Sequence, residues 1–287
     1  MTIVADSGST KTIWMDIESG NKTVTEGLNP HFTTNDQFLA ACATVCRHFS
    51  IINSPVSIHF YGAGCGNNTQ RNRTKKLIAA GFNTEKVAIE TDMLGACRSV
   101  SAGQESLVTI LGTGSNACFF DGEKIKYQPT STGYILGDKG SANHVGRLLL
   151  DEYLTHTMPL KTRRLFYNTF HMSDAQLIDA VYHKPNPNRF LASLAPFAAE
   201  NQDDPYCHGT IWGALLDFYA DTLLPIIWKM HRKECTINLV GGFAKAIEPT
   251  IKQFLKEQDS NIKLANIVTD PIEGLKEYHL NTPYHES

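Results

Sequence analysis

The chain has 287 residues, of which 42% are hydrophobic and 19% are charged, and its formal net charge is −3 at pH 7. These values are typical of a globular protein with one large or two medium domains, and they exclude the strongly basic character of most nucleic-acid-binding proteins. A strand pattern begins within two residues of Met1, and no apolar run reaches the roughly 18 residues of a membrane helix. We therefore expect a cytoplasmic protein with neither a membrane nor a nucleic acid as partner.

Hydrophobic periodicity predicts the same order of elements in both halves of the chain. In the first half, the strands are predicted at 2–6, 12–17, 22–27, 55–60 and 86–90, and the helices at 36–49, 70–80 and 93–101. In the second half, the strands are predicted at 107–111, 116–121, 124–128, 235–240 and 263–268, with helices between about 141 and 232 and at 244–257. The sequence therefore predicts an α/β protein with a duplicated architecture.

The domain boundaries follow from this repeat. We expect a first domain over 1–104, completed by a C-terminal helix within 270–287, and a second domain over 105–269 that carries a helical insertion. The seven cysteines are odd in number and irregularly spaced, which argues against a disulfide framework. Cys42 and Cys46 lie on an apolar helical stripe, so we interpret them as core residues rather than as metal ligands.

Two loops rich in glycine and hydroxyl residues connect strands that are predicted to be antiparallel neighbours. The first contains Gly8, Ser9, Thr10 and Lys11, and the second contains Gly112, Thr113 and Gly114. Because glycines lack a Cβ atom, the backbone N–H groups of such a hairpin tip can approach a phosphate closely. The sequence thus predicts two sites that could bind one polyphosphate.

Several polar residues stand next to these loops. Asp6 ends the first strand, where its carboxylate could hold Mg²⁺ directly or through water, or bond its own turn. Thr10 and Thr113 are the hydroxyls best placed to donate to phosphate, whereas Lys11 either adds charge or points to solvent. Gly241 and Gly242 follow a strand and permit a flat ligand such as adenosine to lie against the backbone; a tight turn is the alternative.

Two further carboxylates are candidates for chemistry. Asp92 follows the strand at 86–90 and opens a helix, so it is either the N-cap of that helix or a general base at the end of a strand. Asp138 stands between Gly137 and Lys139 in a glycine-rich segment. A carboxylate displayed from such a segment suits the hydroxyl groups of a sugar.

The motifs together resemble the N-acetylglucosamine kinase branch of the BadF/BadG/BcrA/BcrD ATPase family, within the acetate and sugar kinase, Hsc70 and actin superfamily. The resemblance covers almost the whole chain. It is carried by Asp6–Thr12 and Leu111–Asn116 as phosphate motifs, Leu239–Gly242 as adenosine motif, and Thr91-Asp92 with Gly137–Ser141 as sugar-side motifs. It implies two ribonuclease H-like (actin-like ATPase) domains with a cleft between them, and it implies ATP and Mg²⁺ as cofactors.

The resemblance also implies roles for single residues. Asp92 matches the catalytic base that deprotonates the 6-hydroxyl of an amino-sugar, and Asn29, Asn116 and Asp138 match positions that bind the sugar. The chain departs from the family pattern at Lys139, where a glutamate is usual, and around Pro30, so the acceptor sugar is not fixed by the sequence.

Two other functions compete with an ATP-dependent sugar kinase. An ATPase that activates a dehydratase would need a cysteine-bound iron–sulfur cluster, for which only Cys65 lies in a suitable glycine-flanked loop. A non-catalytic sugar or nucleotide sensor would need no base, but the expected start of the chain in a strand leaves no room for a helix-turn-helix. The sequence also leaves open whether the chain forms a homodimer.

Overall fold

The computed structural model describes residues 1–51 and 55–281, and the chain divides into two compact units. The first unit comprises Met1–Gln104, Gly122–Lys124 and the chain from Asp270 onward; the second comprises Glu105–Asp121 and Ile125–Thr269. Of the segment predicted to end in a helix, Ile272–Asn281 is helical, and residues 282–287 lie outside the described part.

The first unit is built on a five-stranded sheet in the order β3-β2-β1-β4-β5. Its strands are β1 (Thr2–Ser7), β2 (Lys11–Asp16), β3 (Lys22–Glu26), β4 (Ser57–Gly62) and β5 (Val87–Thr91). β2 pairs antiparallel with both β1 and β3, whereas β4 pairs parallel with β1 and β5. The C-terminal ends of β1, β3, β4 and β5 therefore meet at one edge of the sheet.

Helices cover both faces of this sheet. They are α1 (Asn35–His48), α2 (Asn68–Phe82), α3 (Asp92–Val100) and, at the end of the chain, the helix Ile272–Asn281. Trp14 and Phe60 pack on one face against Phe38 of α1 and Phe82 of α2. The opposite face packs against Ile272 and Leu275 of the terminal helix.

The second unit repeats this topology. Its strands are β6 (Ser106–Leu111), β7 (Ser115–Phe120), β8 (Ile125–Tyr127), β9 (Cys235–Val240) and β10 (Ile262–Val268). They lie in the order β8-β7-β6-β9-β10, with β7 antiparallel to β6 and β8, and with β6, β9 and β10 parallel. The α/β class predicted from the sequence is confirmed, and so is the repeated order of elements.

Within the described residues, seven α-helices of the second unit lie between β8 and β9. They are α4 (Gly133–Leu136), α5 (Ala142–Leu154), α6 (Leu160–Phe170), α7 (Asp174–Tyr182), α8 (Pro187–Glu200), α9 (Pro205–Phe218) and α10 (Leu224–Lys229). The remaining helices, α11 (Gly242–Ala246) and α12 (Glu248–Gln258), lie between β9 and β10, where a single helix was predicted. The terminal helix Ile272–Asn281 is therefore α13.

One helical stretch has the length and mean hydropathy of a membrane helix, although polar residues such as Asp217 and Asp221 interrupt its apolar runs. Pro205–Lys229 forms a continuous helical rod, α9 and α10 being joined by a π-helical turn at Tyr219–Leu223. The rod is long and apolar enough to span a bilayer by composition alone. Its side chains Ile211, Phe218 and Ile226 instead belong to the core of the second unit, which accounts for their apolar character.

Candidate functional site

The first predicted loop forms the hairpin tip that the sequence indicated. The N–H of Gly8 donates to the carbonyl of Lys11 at 3.0 Å, which closes a tight turn between β1 and β2. Ser9 lies half-buried in this turn, and Thr10 is exposed at its tip. The turn thus presents small and hydroxyl residues at the edge where the parallel strands of the first unit end.

Buried hydroxyl groups hold the base of this loop. Ser7 Oγ and Thr12 Oγ1 lie 2.8 Å apart, and Thr12 Oγ1 donates to the carbonyl of Glu26 at 3.0 Å. The N–H of Leu28 donates to Ser7 Oγ at 3.1 Å. Both hydroxyls are therefore committed to the hairpin, and they bring the end of β3 beside the loop.

Asp6 lies half-buried near the end of β1, where Ile13 and Tyr61 flank it on the neighbouring strands. Its pKa is raised to about 7, mainly by burial and in addition by the carboxylates of Asp92 and Asp270, whereas Lys11 opposes the shift. Lys11 thus acts electrostatically on Asp6, although its own side chain is exposed. The sequence reasoning missed Asp270, whose only signal was an Asp-Pro pair before the last helix.

The residue set around Asp6 fits a magnesium ion. Carboxylate oxygens are the hard donors that this ion prefers, and the carboxylates of Asp92 and Asp270 are near enough to Asp6 to act on it electrostatically. Within residues 1–51 and 55–281, no three His, Cys, Asp or Glu side chains are grouped so that they could hold a metal ion. The donor set therefore suits an ion that keeps most of its water ligands, as Mg²⁺ commonly does.

Asp92 is the first residue of α3, and the N-cap is Thr91, whose Oγ1 accepts from the N–H of Leu94 at 3.2 Å. The interpretation of Asp92 as the cap is therefore wrong. Its Oδ1 accepts from the N–H of Met93 at 2.9 Å, which orients the half-buried carboxylate at the end of β5. Because this end lies at the same sheet edge as Asp6, the two carboxylates interact electrostatically.

Asn29 follows β3 at the same edge and is 8% exposed. Its Oδ1 accepts from the N–H of His31 at 3.0 Å, and its Nδ2 donates no hydrogen bond within the described part of the chain. A Cβ atom on Gly64, where φ is +81°, would lie 2.4 Å from Asn29 Oδ1. The amide nitrogen is thus a fixed donor beside a glycine loop.

That loop, Gly62–Gly66, was not predicted as part of the site. It follows β4 and places the backbone of Gly64 against Asn29. The run of alternating glycines was the signal available in the sequence. Cys65 within it is fully buried, with its Sγ 3.9 Å from Thr74 Oγ1, so it is not the surface thiol that a shared iron–sulfur cluster would require.

The second loop spans Gly112–Gly114 between β6 and β7, and each of its carbonyl groups accepts a hydrogen bond from the protein. Gly112 accepts from the N–H of Ala142 at 2.9 Å, and Thr113 from the N–H of Asn143 at 3.0 Å. Gly114 accepts from the N–H of Gly112 at 3.0 Å. The N–H of Gly114 has no acceptor within the described residues, which leaves a donor at the tip.

The backbone of Asp138 lies in the left-handed region, with φ at +52°. Its Oδ1 accepts from the N–H of Ser115 at 3.2 Å, and its Oδ2 accepts from Nδ2 of Asn143 at 2.9 Å. Burial raises the pKa of Asp138, and these two hydrogen bonds oppose that effect. The structure therefore places this carboxylate against the second loop.

Asn116 lies at the start of β7 and is half-buried. Its Oδ1 accepts from the N–H of Ala117 at 2.9 Å, and its Nδ2 donates no hydrogen bond within the described residues. Like Asn29 in the first unit, Asn116 in the second unit thus offers an amide donor. Both were predicted as sugar contacts.

Gly241 and Gly242 follow β9, at the end of which the chain turns into α11. Gly241 has φ at +139°, and a Cβ atom there would lie 2.2 Å from the carbonyl oxygen of Leu111. Glycine is therefore required at 241 for close packing against the strand that leads into the second loop. A Cβ atom on Gly242 would meet only Thr269, at 4.0 Å, so this position is open.

The whole chain is similar to solved structures of sugar kinases. A proposed N-acetylglucosamine kinase from Porphyromonas gingivalis is 31% identical, with a TM-score of 0.90 over 99% of this chain and 100% of that chain. A proposed N-acetylglucosamine kinase from Chromobacterium violaceum is 18% identical, with a TM-score of 0.70 over 96% and 98% of the two chains.

A glucokinase of the ROK family from Streptomyces griseus, solved with glucose and AMPPNP, shows the same fold. It is 16% identical, with a TM-score of 0.62 over 96% of this chain and 97% of that chain. No family model and no curated protein matches the sequence. The actin-like ATPase fold implied by the sequence motifs is confirmed by these structures.

Proposed function

Because the chain belongs to the N-acetylglucosamine kinase-like group of actin-like ATPases, we propose that it is an ATP-dependent sugar kinase. The proposed reaction transfers the γ-phosphoryl group of ATP to the 6-hydroxyl of N-acetylglucosamine or a related amino-sugar. The observation that carries this proposal is the position of Asp92 at the sheet edge that also holds Asp6, Asn29 and the first loop. In this proposal, the edge brings together a general base (Asp92), a carboxylate for the metal ion (Asp6) and a hydrogen-bond donor to the sugar (Asn29).

Asp92 acts as the general base in this proposal. Its carboxylate accepts the proton of the 6-hydroxyl while the hydroxyl oxygen forms a bond to the γ-phosphorus, and the bond from that phosphorus to the β,γ-bridging oxygen of ATP breaks. ADP leaves with the electron pair of the broken bond. The hydrogen bond from Met93 N–H keeps the Asp92 carboxylate oriented at the start of α3.

The two loops bind the phosphates. Gly8, Ser9, Thr10 and Lys11 of the first unit supply backbone N–H groups, hydroxyls and one positive charge; Gly112, Thr113 and Gly114 supply the donors of the second unit. Asp6 would hold Mg²⁺ through water, and the ion would neutralise the negative charge of the phosphates when bound. Gly241 and Gly242 provide the surface for adenosine.

The sugar is recognised by fixed amides and a carboxylate. Asn29 and Asn116 donate to its oxygen atoms, and Asp138 accepts from a hydroxyl with the lone pairs that its protein contacts leave. The partner is thus a small amino-sugar, and nucleic acid and membranes have no part in the activity. A cytoplasmic location suits a substrate that is phosphorylated by ATP, and a homodimer is compatible with the proposal.

The test is a coupled assay of ADP release with N-acetylglucosamine, glucosamine, N-acetylmannosamine, glucose and no sugar. We expect turnover with an amino-sugar and almost none without sugar. Turnover that is equal in all lanes would identify an ATPase, and binding of sugar without any ADP release would identify a sensor. Mass spectrometry of the product, with the 6-deoxy sugar as a blocked acceptor, tests the position of phosphorylation.

The role of Asp92 is tested with Asp92→Asn. We expect kcat to fall by about 10²- to 10⁴-fold, the typical contribution of a general base, while the Kd for ADP stays within about twofold. The matched control is Asp36→Asn, which changes an exposed carboxylate in the first turn of α1 and should leave kcat unchanged. Unchanged turnover in Asp92→Asn would show that another group removes the proton.

A further inference from the structure

The second phosphate loop is held from outside by the N-terminus of α5. The first two N–H groups of α5, those of Ala142 and Asn143, donate to the carbonyls of Gly112 and Thr113. The first N–H groups of a helix have no partner within the helix, so they are free to bind other acceptors. Here the acceptors are loop carbonyls, which are thereby turned away from the side where the loop would meet an anion.

The side chain of Asn143 adds a second set of contacts. Its Nδ2 donates to the carbonyl of Thr113 at 2.7 Å and to Oδ2 of Asp138 at 2.9 Å, and Asn143 is only 2% exposed. Both hydrogens of one amide are therefore used, one on the loop and the other on a carboxylate. Asp138 in turn accepts from the N–H of Ser115, the residue that ends the loop.

The close packing of Asp138 on the loop depends on Gly114. A Cβ atom on Gly114 would lie 2.7 Å from Oδ2 of Asp138, so the carboxylate lies directly over the loop backbone. Ser115 Oγ also donates to the carbonyl of Lys139 at 2.6 Å. Residues 138–143 thus contact the loop at each of its positions from Gly112 to Ser115.

This segment is itself anchored in the second unit. The N–H of Gly140 donates to Nδ1 of His144 at 3.1 Å, and Nε2 of His144, a 2% exposed residue, lies 3.6 Å from Oδ2 of Asp217. A Cβ atom on Gly140, where φ is +73°, would lie 2.7 Å from Cβ of Phe218, so its backbone packs directly on α9. The segment can therefore act as a rigid support for the loop.

We propose that Asn143, together with Asp138, is a positioning residue that fixes the second phosphate loop, Gly112–Ser115, with its carbonyls inward and an N–H donor outward. The inference rests on the nucleotide-binding part of the proposed function. It adds to Asp138 a role toward the nucleotide, and it assigns to Asn143 a role where none was expected. Without the Asn143 amide, the carbonyl of Thr113 and the Asp138 carboxylate both lose a buried donor, and the loop gains freedom.

The first variant is Asn143→Ala. We expect the Kd for AMPPNP and the KM for ATP to rise at least about tenfold, because the variant loses two buried hydrogen bonds and one alone corresponds to roughly that factor. The KM for the sugar should change less than about twofold. Hydrogen exchange of peptides that cover 112–117 should accelerate, whereas exchange in the body of β6 should not.

The second variant pair tests the contact directly. Asn143→Asp places a carboxylate opposite the Asp138 carboxylate and the Thr113 carbonyl, so its effect should exceed that of Asn143→Ala. Adding Asp138→Asn exchanges the two side chains, so that an amide at position 138 can donate to a carboxylate at position 143. The double variant should therefore recover part of the lost nucleotide affinity. Failure of the double variant to recover any affinity would overturn the proposed pairing.

The matched control is Asn201→Ala. Asn201 is half-buried in the same unit, and its Nδ2 donates to the carbonyl of Phe197 at 2.7 Å, at the end of α8. The Asn201→Ala variant should have a lower thermal stability, with unchanged nucleotide affinity and unchanged hydrogen exchange of residues 112–117. If Asn143→Ala behaves in the same way, the residue supports the fold only and the proposal is wrong.

The outcomes also separate this inference from the proposed function. In Asn143→Ala, a rise in the KM for sugar at unchanged nucleotide affinity would show that Asn143 supports only the sugar contact of Asp138, and it would overturn the positioning role toward the nucleotide loop. A wild-type protein that binds AMPPNP but phosphorylates no sugar would refute the kinase, while the nucleotide affinities and exchange rates of the variants would still decide the role of Asn143.

Discussion

The backbone of Gly27 lies directly against the first loop: a Cβ atom on Gly27 would stand 2.5 Å from the carbonyl oxygen of Gly8. The N–H of Gly27 also donates to the carbonyl of Thr10 at 3.1 Å. The end of β3 therefore forms one wall of the loop, and it carries Asn29 two residues later. A single glycine thus couples the position of the phosphate loop to that of the predicted sugar contact.

Gly27→Ala should damage this arrangement. The added methyl group meets backbone atoms, which cannot rotate away, so we expect a loss of about 1–3 kcal/mol in the free energy of unfolding together with weaker ADP binding. Urea denaturation and calorimetry measure the two effects. Gly66→Ala is the control, since a Cβ atom there meets nothing within 4 Å; a similar loss in both variants would contradict the explanation.

Gly274→Ala should prevent α13 from docking on α3. A Cβ atom on Gly274 would lie 2.1 Å from the carbonyl oxygen of Ser99, which is far inside van der Waals contact. We expect a loss of about 2 kcal/mol or more from overpacking, read from urea denaturation. Gly213→Ala in α9 meets nothing within 4 Å and should be neutral or stabilising by about 1 kcal/mol.

Two histidines in contact should make the first unit sensitive to acid. The rings of His59 and His279 lie 4.1 Å apart. The pKa of His59 is lowered to about 4 by burial and by Arg98, and the pKa of His279 is lowered to about 3 by burial, by His59 and by Arg98. A folded-state pKa below the unfolded value gives stability that is complete above about pH 6.5 and is lost as the pH falls toward the folded-state pKa.

The measurement compares urea denaturation at pH 7 and at about pH 4.5. His279→Gln removes one of the two titrating rings, so the difference in unfolding free energy between the two pH values should shrink by about 1–3 kcal/mol. His156→Gln, at an exposed position, is the control and should leave the difference unchanged. An equal pH dependence in wild type and His279→Gln would refute the assignment.

The cysteines should behave as core residues. Five are buried, namely Cys42, Cys65, Cys97, Cys118 and Cys207, whereas Cys46 and Cys235 are half-buried. Burial raises the pKa of Cys65 to about 11, which disfavours the thiolate that metal ligands require. We expect no more than two fast-reacting thiols in the native protein and seven after denaturation, and no iron after anaerobic purification. Bound iron would revive the dehydratase-activator alternative.

Local sequence signals predicted the elements well but not always their ends. Ser173 and Gln176 form a capping box at the start of α7, a motif that is recognisable in the sequence. The helix predicted at 70–80 stops before Gly81, but in the structure Gly81 lies inside α2. A Cβ atom on Gly81 would stand 2.5 Å from Cβ of Cys42 in α1, so the glycine allows the two helices to pack closely. Helix packing, which the local pattern does not show, explains that glycine, and Asn83 in the left-handed conformation ends the helix instead.

Some residues of the candidate site could be predicted from the sequence, and others could not. Asp6, Asp92, Gly8 and Gly112 could be picked out because each follows an apolar strand, and parallel strands bring their ends to one edge. Asp270 and the Gly62–Gly66 loop had only weak signals in the sequence, and Asn143 had none, because the contacts of all three depend on the arrangement of the chain in space. The roles of the predicted phosphate and sugar contacts remain predictions for the experiments above.

The sequence by itself determined the order of strands and helices, the two loops and the family, because periodicity, glycine spacing and motif order are properties of short segments. The tertiary structure alone decided what each polar group contacts. Asp138 illustrates this difference: its glycine neighbours indicated a displayed carboxylate, but only the folded chain shows Ser115 and Asn143 bonded to it. Hydrogen bonds between residues distant in sequence depend on how the segments pack, and a one-dimensional pattern does not specify that packing.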